Sequence, residues 1–278
     1  MLRRARHSVS DGGTRRKTEL PWRLDPAALK AQARNVLVVA AVGNSRLFSA
    51  MNVLVVDVGG TNIKILATGQ ELRRKFVSGP TMTPEKMVTG VQQLAVDWKY
   101  EAVSIGYPGP VSRGRIVRDP HNLASGWIGF DFEAAFMRPV RIINDAAMQA
   151  LGDYEGGKML FLGLGTGLGA ALVVEGTLVP LEIAHLPYRQ ATFEDYVGLR
   201  GLERWGKKQW RTFVADVIAH LSAAFQVDEI VLGGGNTKEL KELPPGCRAG
   251  SKSSAFRGGF RLWEEAKAAT LDEHRSRA

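Results

Sequence analysis

Short apolar runs that stop on glycine or a charge recur along this chain. They are Val53-Leu54-Val55-Val56, Ile63 to Ala67, the stretch AVSIGYPG from Ala102, RPVRIIND ending at Asp145, MLFLGLG from Met159, and EIVLGGG ending at Gly235. Runs of this length bounded by turn residues predict buried strands. A different spacing separates them. Met87, Val88, Val91, Leu94, Ala95 and Trp98 recur at helical intervals, as do Phe213, Val214, Val217, Ile218 and Leu221 within Trp210–Phe225. AAMQALGDYEG after Asp145 predicts a short helix, and a C-terminal helix is expected from about Phe260. Strands alternating with helices point to an α/β protein.

One turn in this pattern carries candidate chemistry. In VDVGGTNIK the apolar run ends on Asp57, then passes through Gly59, Gly60 and Thr61 to Lys64. A Gly-Gly pair suits a tight hairpin, because glycine supplies positive φ. The same residues suit a phosphate site, where backbone N–H groups approach an anion and a hydroxyl and an ammonium add donors. The spacing is not that of a P-loop. The pattern then returns in GLGTGLGAALVVEGTLV, where Gly165, Thr166 and Gly167 fall on Gly59, Gly60 and Thr61. Two strand-turn-strand units with glycine and threonine predict an internal duplication, and two facing turns would hold a phosphate chain from both sides. Lys64 is either a phosphate partner or an exposed strand residue. Asp145, at a strand-to-helix junction, is either a helix N-cap or a carboxylate at the edge where α/β proteins place ligands.

Charge changes the picture less than its total suggests. The formal charge is +9, but residues 1–50 hold ten Lys or Arg against three Asp or Glu, and the other 228 residues hold 27 against 25. The excess belongs to a basic, turn-rich leader expected to lack stable structure. The body is nearly neutral and predicts no dedicated nucleic-acid module. The single cysteine, Cys247, leaves no internal disulfide and no multi-cysteine zinc cluster. No apolar run is long enough to span a bilayer, so no membrane association is expected.

DVGGTNIK, SIGYPGPV, HNLASGWIGFDF, IINDAAMQAL, GLGTGLGAALV, LEIAH and VLGGG occur in that order from Met51 onward. In these motifs the chain resembles the ROK group of sugar kinases within the hexokinase–actin ATPase superfamily, and most of all its polyphosphate-dependent glucokinases. The resemblance implies a two-lobed, actin-like (ribonuclease H-like) α/β fold with an inter-lobe cleft, its lobes at 51–145 and 146–278. It implies transfer of a terminal phosphoryl group from polyphosphate or ATP to the 6-hydroxyl of glucose, with Mg²⁺ as cofactor, in a cytoplasmic homodimer. Asp145 matches the catalytic base. Asn122, Asn144, Glu182, His185 and Glu194 match sugar-contacting positions. Asp57 matches a Mg²⁺ position reached through water, with Gly59, Gly60, Thr61, Gly165, Thr166 and Gly167 as phosphate donors. Gly233, Gly234 and Gly235 match the adenosine seat. Two departures stand out: Ala184 replaces a glycine before His185, and the cysteines that bind zinc in typical members are absent, so no zinc is expected. Two other classes compete. Some ROK proteins are sugar-responsive repressors, but residues 1–50 show no paired amphipathic helices for a helix-turn-helix. A non-catalytic sugar-binding protein is the other, and the intact Asp57, Asp145 and glycine turns argue against it. Arg113, Arg115 and Arg118, or Arg204, Lys207, Lys208 and Arg211, are two candidate tracks for a polyanionic donor.

Overall fold

The structure is a computed structural model that describes residues 37–38 and 51–264. Most of the leader expected to lack structure therefore lies outside the described residues. Its two described residues form strand β1 (Leu37–Val38). The body opens with β2 (Val53–Val58), β3 (Asn62–Ala67) and β4 (Arg74–Val77), followed by helix α1 (Pro84–Leu94). Then come β5 (Ala102–Tyr107), the small hairpin β6 (Val111–Ser112) and β7 (Arg115–Ile116), helix α2 (Phe132–Phe136), β8 (Val140–Asn144) and helix α3 (Asp145–Asp153). The second half runs β9 (Lys158–Leu164), β10 (Leu168–Val174), β11 (Thr177–Leu181), the hairpin β12 (Pro187–Tyr188) and β13 (Ala191–Thr192), then α4 (Phe193–Val197) and α5 (Leu199–Phe225). It ends with β14 (Glu229–Gly233), a 3-10 turn at Gly235–Glu239, β15 (Cys247–Ala249) and α6 (Ser254–Arg261).

These strands build two sheets of matching design. The first has the order β4-β3-β2-β5-β8, and the second contains β11-β10-β9-β14-β15. Reading along either order, the first two pairings are antiparallel and the last two parallel. The duplication predicted from two glycine turns is thus present in the topology of both halves. β1 adds one antiparallel pairing beyond β11.

Each sheet has its own core, and a third core joins them. The first packs α1 residues Met87, Val88 and Val91 under Leu54, Val56 and Ile65. The second packs α5 residues Phe213, Val217 and Leu221 under Leu160, Leu162 and Ile230. The third lies around α3 and α6, where Val53 and Val55 of the first sheet meet Met159, Phe161 and Val231 of the second through Met148, Leu151 and Phe256. Glycines make this close packing geometrically open. A methyl on Gly152 would overlap the Ser254 carbonyl, and one on Gly258 would overlap the Met148 carbonyl oxygen and stand 2.8 Å from its carbon. Asp153, buried beside them, accepts hydrogen bonds from Ser254 Oγ (2.6 Å), the Ser251 amide (3.1 Å) and Arg257 Nη2 (2.6 Å).

Two helices differ from the sequence expectation. The C-terminal helix spans Ser254–Arg261 rather than starting near Phe260. Its Gly258-Gly259 pair has the composition of a helix breaker, yet close packing requires it, Gly258 against α3 and Gly259 against Val55 of β2. The long helix begins at Leu199 rather than Trp210 and is interrupted at Gly206, whose φ is 70°. Most of residues 199–209 face solvent, so no apolar stripe announces the first turns.

Candidate active site

Register places the candidate residues of the first sheet at one edge. In the parallel ladder Asp57 stands beside Gly106, Gly106 beside Ile143, and Tyr107 beside Asn144. Three neighbouring strands therefore end together. Strand spacing puts the ends of β2 and β8 about 10 Å apart. The loop after β5 and the start of α3 close over the gap.

At that junction Asn144, not Asp145, is the helix N-cap. Its Oδ1 accepts from the Ala147 amide (3.1 Å), and its Nδ2 donates to the Gly109 carbonyl (3.1 Å). Asp145 is the first helical residue, and its Oδ1 accepts only the Ala146 amide (2.8 Å) among the described hydrogen bonds. The cap reading of Asp145 is therefore corrected, because its neighbour fills that role. Asp145 is enclosed by protein, which pushes its pKa up to about 7; the negative charge of Asp57 and, less strongly, that of Glu182 act in the same direction. The Ala146 N–H opposes them. Asp145 as a residue keeps part of its surface open while protein surrounds its carboxyl, which is the environment of a recess.

Glu182, His185 and Glu194 of the second half gather on the same recess. Burial raises the Glu182 pKa; the charges of His185 and Arg118 pull it down, and that of Glu194 pushes it up. Arg118 is a site neighbour that sequence reasoning assigned only to a charge cluster. Glu194 does not lie on a freely solvated helix face. It ion-pairs with Arg200 (3.1 Å), and its Oε2 fills the space where a Gly167 methyl would stand.

The three glycine segments are held differently. The first is a hairpin turn by geometry: the Gly59 amide donates to the Asn62 carbonyl (3.1 Å), and Ser78 Oγ donates to the Gly59 carbonyl (2.6 Å). The hairpin is thus the frame of the site rather than an alternative to it, although neither Gly59 nor Gly60 takes the positive φ expected of the pair, and Thr61 stands exposed on it. Asn122 packs on this turn, since a Gly60 methyl would lie 3.1 Å from its Cβ. Lys64 bonds Asp57 Oδ2 at 2.8 Å, as their cross-strand pairing allows. In the second turn the Gly165 amide donates to the Gly167 carbonyl (3.1 Å), and the Leu199 amide donates to the Thr166 carbonyl (3.1 Å). The third segment folds over the second. Gly234 has φ 86°, a methyl on it would overlap the Leu164 carbonyl, and Asn236 Nδ2 donates to the Gly165 carbonyl (2.8 Å). Gly233 has a methyl position blocked by the Phe161 ring, whereas Gly235 faces open space. Asn236 was missed from sequence; its only signal there is a polar amide directly after three glycines.

A divalent metal can be tested against this donor set. Among the described residues no group of three or more His, Cys, Asp or Glu is placed to hold an ion. Mg²⁺ does not need such a cage, since it usually takes one or two carboxylates, water and substrate phosphate oxygens. Asp57, at a strand end beside the first glycine turn, fits that requirement.

Comparison with known proteins agrees with this architecture. Residues 53–180 match the ROK family. The chain is 28% identical over 212 residues to the polyphosphate glucokinase of Mycobacterium tuberculosis, covering 68% of this chain and 80% of that one. Its fold matches an inorganic polyphosphate/ATP-glucomannokinase from Arthrobacter sp. strain KM with a TM-score of 0.66 at 23% identity, over 79% of this chain and 99% of that one. It also matches a ROK family glucokinase from Streptomyces griseus, solved with glucose and AMPPNP, with a TM-score of 0.64 at 18% identity, over 77% of this chain and 99% of that one. The two-sheet α/β architecture is therefore that of the actin-like ROK sugar kinases.

Proposed function

From a chain that carries a ROK family domain over residues 53–180, we propose a sugar kinase that transfers a terminal phosphoryl group from polyphosphate or ATP to the 6-hydroxyl of glucose. The observation that carries this reading is Asp145: an enclosed carboxyl with a pKa raised to about 7, across a strand edge from Asp57 and beside Glu182. A base titrating near neutrality removes the hydroxyl proton as attack proceeds, an effect worth roughly 10²–10⁴ in rate. Asn122, Asn144, Glu182, His185 and Glu194 orient the sugar. Asn144 has one amide hydrogen left after its bond to Gly109. The backbone amides of Gly60, Thr61, Thr166 and Gly167 and the two threonine hydroxyls receive donor phosphates, the Gly59 and Gly165 amides being engaged in closing their turns, and Gly233, Gly234 and Gly235 border the far side. Mg²⁺ held through Asp57 would neutralise charge on the donor phosphates. Lys64 shares Asp57 in that arrangement and supplies a second cation at the same turn. Phosphoryl transfer needs little more from a protein than this positioning and neutralisation.

Activity should depend on pH through Asp145. kcat/KM should fall on the acid side with an apparent pKa near 7, because the protonated carboxyl cannot accept a proton. Rate profiles between pH 5 and 9 check this. A flat profile through pH 6 removes Asp145 as the titrating base.

The donor reading rests on which cations are free. Lys207 pairs with Glu239 (2.6 Å), Arg211 donates to the Glu239 carbonyl (2.6 Å), and Arg204 lies over the Trp205 ring. Most of that cluster is engaged. Arg113 and Arg115 are exposed and have no partner among the described residues, and Arg118 acts on Glu182 in the recess. We therefore place the polyanion track at the β6–β7 hairpin. Glucose phosphorylation with long-chain polyphosphate should fall more steeply with salt than with ATP, since several exposed charges are screened together. An Arg113→Ala/Arg115→Ala variant should raise KM for polyphosphate several-fold and leave that for ATP unchanged. Turnover with ATP alone would remove polyphosphate from the reading.

A further inference from the structure

The first turn of α3 is held from both sheets at glycines. On the second sheet, a methyl built on Gly169 of β10 would lie 2.7 Å from Ala146 Cβ. On the first sheet, a methyl built on Gly106 of β5 would overlap the end of Met148, stand 3.1 Å from its sulfur and approach the Asp145 Cα to 3.7 Å. Ala146 and Met148 are both buried. Neither of these two glycines has a positive φ. Turn conformation thus does not require them; the close approach of a neighbour does.

The two contacts differ in stiffness. The end of Met148 can swing by rotation about its side-chain bonds, at the cost of disturbing a packed core. The Ala146 methyl has no such freedom and moves only with its backbone, which is also the backbone of Asp145. Gly169 lies two residues beyond Gly167, in the strand that leaves the second glycine turn. One van der Waals contact therefore connects the turn proposed to receive the donor to the helix end that carries the proposed base.

We propose that Gly169, with Gly106 opposite it, is a positioning residue for phosphoryl transfer: it seats the first turn of α3 and so fixes Asp145 relative to the donor turn. The proposal rests on the kinase reading above. An added methyl at Gly169 moves Asp145 away from the second turn while the sugar-orienting groups on Glu182 and Glu194 stay with their own elements. Misplacement by a fraction of an ångström to an ångström at a reacting group costs up to about 10² in rate.

A methyl exchange across the contact tests this. Gly169→Ala should lower kcat with glucose at least about tenfold while the KM for glucose stays within about threefold. Ala146→Gly alone should stay within about threefold of the parent kcat, at a modest cost in helix stability. The double variant Gly169→Ala/Ala146→Gly, in which the methyl has changed sides, should recover to within about threefold of Ala146→Gly. Gly106→Ala should be relieved in the same way by Met148→Ala. The proposal is overturned if Gly169→Ala keeps the parent kcat, if KM rises in step with the loss of kcat, or if the folded double variant is as slow as Gly169→Ala. Should Gly169→Ala fail to fold, the double variant decides: an active double supports the seat, and an inactive or unfolded one overturns it. Failure of the kinase reading looks different, because the parent protein itself would then phosphorylate no hexose with either donor.

Discussion

An Asp145→Asn protein should bind glucose with near-parental affinity and lose about 10²–10⁴ in kcat. The amide keeps the shape of the carboxyl and can still accept the Ala146 N–H through its oxygen, so the helix start is preserved. What it cannot do is take a proton from a hydroxyl. The same variant should become more stable at pH 8, and the sign follows from proton counts. In the unfolded chain Asp145 ionises near its ordinary value of 3.8, whereas in the native fold it holds its proton until about pH 7. Between those values the native state binds more protons than the unfolded state, so stability falls as pH rises, and above pH 7 the loss is complete. Asparagine carries no such penalty. Glucose binding by calorimetry, steady-state rates and thermal melts at pH 5 and pH 8 check the three parts. A variant within threefold of the parent kcat would remove Asp145 as base, and an equal melting shift at both pH values would remove the burial argument.

Gly258→Ala should severely destabilise the joint between the sheets, costing about 3 kcal/mol or more. The added methyl meets the Met148 carbonyl oxygen and carbon and stands 3.0 Å from the Gly152 amide nitrogen. These are backbone atoms, so no side-chain rotation relieves the overlap, and α6 must move away from α3. Gly235→Ala is the control. It has open space around its methyl position and no positive φ, so it should change stability by well under about 1 kcal/mol. Urea denaturation of both variants gives the comparison, and equal midpoints would mean that the α3–α6 crossing is not tightly packed. The Asp153 cluster makes the same joint sensitive from its polar side, since Arg257, Ser251 and Ser254 all donate to one buried carboxylate.

Local chemistry explains what was legible in the chain. The two glycine-threonine turns stood out because a strand that stops on glycine has few local alternatives, and their repetition announced the duplicated sheet. The apolar spacing of residues 84–98 marked the helix now seen at Pro84–Leu94, and that of Trp210–Phe225 marked the buried part of α5. Asp57 and Asp145 became candidates from their places at strand ends, and Glu182 and Glu194 through the resemblance to ROK kinases, neither of which needs contacts.

Contacts between distant residues decided the rest. Whether Asp145 or Asn144 caps α3 is a matter of side-chain direction, and either residue type suits the position. The raised pKa of Asp145 depends on burial by the assembled halves and on Asp57 and Glu182, which approach it only in the folded chain. The two arginine-rich segments look alike in composition, yet Glu239 and Trp205 engage most of one, while Arg113 and Arg115 of the other are exposed and have no partner among the described residues. Gly106, Gly169, Gly152 and Gly258 read in sequence as weak points of strands and helices. Only packing reveals why no side chain stands there: another backbone or a buried methyl occupies the place where it would be. Sequence by itself determined the elements, their duplication and the candidate chemistry, because these follow from neighbours along the chain. Tertiary structure alone determined proton affinity, ion pairing and close approach, because each depends on what the fold brings within a few ångströms.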